Sequence, residues 1–149
     1  MNNLREFLPR VTAWAKKHHD LIQVEGVELN DAGADMARSV GVEDPNRIRV
    51  MLVDEIPFRE DPVIYRIAKS VGMFSGQVMG ITFGHSIYIV KGCESAQLFS
   101  HEFRHVYQYE TLGSIQDFME VYLEQVLEFS YDKAPLELDA RQFEITEPL

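Results

Sequence analysis

The chain has 149 residues, 46% hydrophobic and 26% charged, with a formal net charge of −10, a composition that predicts one globular domain over 1–149 and not a disordered or fibrous chain. The acidic excess argues against a nucleic-acid partner, which needs clustered Lys and Arg against phosphate. Cys93 is the only cysteine, no run approaches the roughly 18 apolar residues of a membrane span, and no apolar leader with a cleavage site opens the chain, so cytoplasmic residence is the expectation.

Residues 1–19 are basic, with Arg5, Arg10, Lys16 and Lys17 against Glu6, while Leu4, Phe7, Leu8, Val11, Trp14 and Ala15 recur at helical spacing. A surface-seeking helix has this look, but the pattern predicts first a helix that packs its apolar stripe on the core. Pro9 suits the first turn of that helix, which runs to about Gln23, and Asn30 caps a second one ending at Gly41. Asp44-Pro45-Asn46 is a turn, and residues 47–54 pass from alternation into a continuous apolar run, as a central strand does. Pro62–Val71 reads as a short helix stopped by Gly72. Val78–Phe83 and Ser86–Val90, joined through Gly84-His85, read as a hairpin.

From Ser95 to Tyr109 the period is helical again, and Gly113 closes the stretch. Ser114 and Asp117 have capping-box spacing and open a helix to about Tyr131 carrying Phe118, Val121, Tyr122, Gln125 and Phe129. Pro135 precedes a last helical segment, Leu136–Phe143. Together these elements predict an α+β fold: a small mixed sheet followed by a helix bearing the most informative residues and by C-terminal helices.

Those residues are His101-Glu102-Phe103-Arg104-His105. Four residues apart on a helix, two imidazoles share a face and can reach one ion, with nitrogens about 2.0–2.1 Å from it. Glu102 between them comes round to the edge of that face, where a carboxylate can take a proton from water. Zn2+ is the ion this pairing predicts, with His101 and His105 as ligands and Glu102 as general base. Apolar Leu98, Phe99, Phe103 and Val106 give the helix a core face of its own, whereas paired surface histidines would need none.

A third protein ligand must come from downstream, because Gln108 and Thr111 stand where the metzincin extension needs Gly and His. Glu120, Glu124, Glu128, Glu137 and Asp139 are the acidic candidates. The first three recur every fourth residue, the mark of a solvated face, and Glu137 is the choice, with Glu128 as fallback. Ala140, one turn beyond Glu137, would let its segment approach the metal helix.

The motif resembles that of the gluzincin side of the zincin metallopeptidases. More narrowly, Gly-Ile-Thr-Phe-Gly, Ile-Tyr and Ser-His-Glu-Phe-Arg-His-Val-Tyr-Gln resemble minimal bacterial zincin-like domains, over about residues 47–144. In such families the third ligand lies in a Glu-x-x-Ala segment, matched here by Glu137-Leu138-Asp139-Ala140, whereas Lys133 stands where the thermolysin-like signature has Asn. The resemblance implies hydrolysis of peptide bonds by Glu102-assisted attack of zinc-activated water, on a narrow set of peptide or protein substrates. It also implies that the strand before the metal helix, Ser86–Val90 by position, pairs with extended peptide.

Stabilising the developing oxyanion calls for a Tyr, His or Arg opposite Glu102. Tyr131 is the nearest candidate, with Tyr122 and Tyr109 as competitors. Asp139 is a possible acceptor for the second nitrogen of a ligand His, Arg104 and Gln108 orient neighbours, His85 could touch substrate, and Cys93 is structural. The rival expectation is a non-catalytic module in which zinc staples the fold and the acidic surface binds a partner protein.

Overall fold

A computed structural model describes residues 4–74, 76 and 78–146. In chain order the elements are α1 (Leu4–Glu25), β1 (Val27–Glu28), α2 (Asp31–Ser39), β2 (Arg49–Val53), α3 (Pro62–Ser70), β3 (Gly80–Phe83), β4 (Ser86–Val90), α4 (Ala96–Leu112), α5 (Ile115–Phe129) and α6 (Pro135–Gln142). Short 3-10 turns occupy Pro45–Arg47, Phe58–Glu60 and Tyr131–Lys133. The described residues thus form an α+β fold with one mixed sheet, ordered β1-β2-β4-β3. No described helix is long and apolar enough to cross a membrane.

Four of the described helix starts carry a side-chain cap, two of them, Asn30 and Ser114, at the residues expected to cap. Asn30 accepts from the Gly33 amide at 2.8 Å, Ser95 from Leu98 at 3.0 Å and Ser114 from Asp117 at 3.0 Å; such a cap stabilises a helix by about 1 kcal/mol. Asp61 does the same for α3, accepting from Val63 and Ile64. Gly113 ends α4 in the left-handed region, at φ 106°, which a side chain would oppose. α1 departs from expectation: it starts at Leu4, so Pro9 lies inside it. There the proline loses the hydrogen bond to the carbonyl four residues back and crowds that carbonyl with its ring, a cost offset by burial of Val11, Trp14, Ala15 and Ile22. Phe7 and Leu8 pack at the margin of the same cluster; the Leu4 and Arg5 side chains lie outside the described ones.

The strand over 47–54 is central, as expected: β2 lies between β1 and β4, parallel to β4 with Val50 opposite Ile87 and Leu52 opposite Ile89. β1, two residues long, was not foreseen, because alternation cannot show itself in so short a strand. β3 and β4 form the expected antiparallel hairpin, with Phe83 opposite Ser86. Being internal, β4 has both edges occupied, so Ser86–Val90 cannot pair with a peptide; β3 is the free edge of that side.

Alternation along the strands divides the core between the two faces of the sheet. On one face Ile87 and Ile89 meet Phe103 and Val106 of α4 and Ala37 of α2. On the other, Tyr88 and Phe83 meet Trp14 and Ile22 of α1 and Ile64 and Ala68 of α3. That second core encloses a polar group: His18 bonds the Tyr88 hydroxyl at 2.6 Å and the Glu60 carboxylate, which also accepts from Trp14 Nε1 at 3.0 Å. α5 folds back after Gly113 and buries Phe118, Met119, Leu123 and Val126. Phe129, expected inside, is 44% exposed at its end.

Candidate metal centre

α4 is buried on two sides. Phe103 and Val106 seat it on the sheet, and this fixes His101, His105 and Gln108 towards the C-terminal helices. There α6 brings in Glu137, from a helix opened by Pro135 and held close by the fully buried Ala134 and Ala140. Glu137 Oε1 lies 2.9 Å from His101 Nε2 and 3.2 Å from His105 Nε2. One ligand atom from each of the three residues falls within 4.8 Å of the others, and all three residues are buried.

This donor set, two imidazole nitrogens and one carboxylate oxygen, fits a single Zn2+ ion with one position left for a small ligand. Without an ion the same atoms attract protons. Burial opposes charge on His105, but Glu137 more than offsets it and holds the imidazole at about 9. His101 is raised against burial in the same way by its bond to Glu137. Burial also opposes charge on Glu137, yet the two histidines hold its carboxyl far below the usual range.

The outer nitrogens of both rings are engaged. His101 Nδ1 is 2.7 Å from Glu144 Oε2, whose other oxygen accepts from Gln97 at 2.8 Å. His105 Nδ1 is 2.7 Å from Gln108 Oε1, and the Gln108 amide donates to Leu136 O and Asp139 Oδ2, each at 2.9 Å. Such contacts fix ring orientation and present the inner nitrogens to an ion. Asp139 therefore reaches His105 only through Gln108. Its other partner is Arg104, at 2.9 Å, whose guanidinium also donates to Val40 O and stacks on Tyr107 and Phe143. Arg104 and Gln108 orient neighbours, as expected. Glu144 was missed: it lies past the end of α6, where no helical spacing ties it to Glu137, and only the tertiary contact shows it.

Glu102 is 4% exposed and accepts from the Thr82 hydroxyl at 2.7 Å. It shares a small cavity of about 50 Å3 with His105, Glu137, Tyr109, Tyr122 and Tyr131. The three tyrosines are distinguished by their hydroxyls. Tyr122 donates to Glu137 Oε2 at 2.7 Å and Tyr109 to the Thr82 carbonyl at 3.0 Å, whereas the Tyr131 hydroxyl makes no hydrogen bond to any described residue. Burial first, then the nearby carboxylates, raise the Tyr131 phenol far above its ordinary value, so it stays a proton donor.

The remaining candidates lie elsewhere. Glu120, Glu124 and Glu128 are exposed, a solvated face as their spacing implied. His85 is buried against Glu110 at 2.8 Å, outside the lining of the metal cavity. Cys93 is free and half-buried. No family model, curated protein or solved structure matches the chain.

Proposed function

We propose that the chain is a zinc-dependent peptidase of the zincin type. The observation that carries this reading is the convergence of Glu137 with His101 and His105 beside a buried Glu102. A site that only stapled the fold would close four protein ligands around zinc and would have no use for a carboxylate next to an open position. Bound there, zinc would supply Lewis acidity to a water and to the scissile carbonyl. Glu102 takes the water's proton as the new C–O bond forms and delivers it to the amine nitrogen as the C–N bond breaks. Tyr131, its hydroxyl uncommitted, donates to the developing oxyanion. Peptide addition at a sheet edge, which the resemblance implies, belongs to β3.

One observation favours a second reading, a zinc-stabilised module without turnover that binds a partner protein. The cavity at Glu102, about 50 Å3, falls well short of the roughly 300 Å3 or more of ordinary ligand pockets. Incubation of the zinc-loaded chain with unfolded casein, with and without chelator and beside Glu102→Gln, separates the two. Chelator-sensitive cleavage absent from Glu102→Gln supports the peptidase. Intact casein in every arm leaves the module.

A further inference from the structure

Two residues of β3, two positions apart and therefore on one face of the strand, meet the Glu102 side chain. Thr82, 5% exposed, donates its hydroxyl to Oε1 at 2.7 Å; the Glu102 carbonyl oxygen is farther, at 3.3 Å. Gly80 faces the other oxygen: a Cβ there would sit 3.2 Å from both Oε2 and Cγ of Glu102. At such contacts the neighbour must give way, and a buried carboxylate wedged against its own helix has little room to do so. The strand is itself pinned to α4, since the Tyr109 hydroxyl donates to Thr82 O at 3.0 Å.

We infer that Thr82 and Gly80 are positioning residues that divide the labour of the Glu102 carboxylate, Thr82 tethering Oε1 and bare Gly80 leaving Oε2 as the atom that carries the proton. The inference rests on the peptidase reading above. A hydroxyl has one proton to give, and here it goes mainly to Oε1; that bond holds the carboxylate's orientation and lowers the basicity of Oε1 relative to Oε2. Oε2 then takes the proton from water while the water oxygen bonds the carbonyl carbon, and returns it to the nitrogen as the C–N bond breaks. Untethered, the carboxylate turns about its side-chain torsions and spends less time in reach of the water; small misplacements of this kind lower the rate without altering metal binding. The same bond ties the base to the free edge strand of the sheet, so that any chain pairing with β3 is registered against the atom that moves the proton.

The test uses the full chain loaded with zinc, and fluorescein-labelled unfolded casein as probe. Thr82→Val, which keeps the shape and removes the hydroxyl, is expected to lower kcat about 10- to 100-fold, with KM and zinc affinity by chelator competition within about twofold of wild type. Thr82→Ser restores the hydroxyl and most of kcat. Gly80→Ala lowers kcat in the same manner by crowding Oε2. The infrared carboxylate band of Glu102, isolated by subtracting the Glu102→Gln spectrum, shifts in Thr82→Val and returns in Thr82→Ser. Wild-type kcat in Thr82→Val, or a loss shared by zinc affinity and unrecovered in Thr82→Ser, overturns the positioning role. A silent wild-type chain removes the peptidase reading itself, whereas an active one whose infrared band ignores Thr82→Val removes the tether alone.

Discussion

The Tyr122 hydroxyl donates to Glu137 Oε2 at 2.7 Å, while Oε1 of the same carboxylate faces His101 and His105 at 2.9 and 3.2 Å. One oxygen is thus occupied by a phenol and the other is presented to an ion, which favours single-oxygen ligation. Tyr122→Phe should weaken zinc binding about 10-fold, in the range for outer partners of metal ligands. Glu137→Ala should cost far more, Asp139→Ala a modest amount through Gln108, and exposed Glu128→Ala nothing. Chelator competition across the four variants is the measurement, and wild-type affinity in Glu137→Ala would remove it from the ligand set.

Glu102→Gln should retain zinc at wild-type affinity and lose about 10²–10⁴-fold in peptide hydrolysis, the usual contribution of a general base. Gln can still accept from Thr82, so the fold around α4 should be undisturbed. Comparable turnover in the variant on a substrate cleaved by wild type would take the role of base away from Glu102. Tyr131→Phe on the same substrate should lower kcat with little change in zinc content.

Zinc uptake should release protons at neutral pH. In the metal-free chain His105 is raised to about 9 by Glu137 against the effect of burial, and an imidazole must be neutral to bind. The sign follows from the two forms. The proton-bridged centre stabilises the metal-free fold fully below the ordinary histidine range, and that stabilisation is lost as pH rises through about 9. Apparent zinc affinity moves the opposite way and rises with pH up to the same region. Calorimetry in two buffers of different ionisation enthalpy reads the released protons directly, and identical heats would contradict the assignment.

Acid stability should depend on Glu60, on the far side of the sheet from the metal centre. Burial works against its charge, but the bond from His18 and the charges of His18 and Lys17 hold its carboxyl below the usual value. A depressed carboxylate contributes stability that is present above the unfolded value, about 4.3, and is lost as pH falls through the folded one. Glu60→Gln should therefore be less stable at pH 7 and show a flatter acid limb. Parallel acid limbs by circular dichroism would refute the coupling.

Much of this was legible before any coordinates. His101, Glu102 and His105 are bound together by helical periodicity, a local property, and the caps at Asn30 and Ser114 and the hairpin through Gly84-His85 are local too. The four-residue repeat of the α5 carboxylates marked them as a solvated face and narrowed the choice to Glu137 and Asp139, between which the Glu-x-x-Ala resemblance pointed to Glu137. What depended on tertiary structure was every relation across elements. β4 lies inside the sheet and β3 at its edge only because the parallel pairing with β2 claims the other side of β4, and strand order is not encoded in any one strand's pattern. The roles of Glu144, Thr82 and Tyr122 likewise depend on distances between residues 15 to 43 positions apart in the chain. Local periodicity places a side chain on a face; only the packing of helices and sheet decides which atom that face meets.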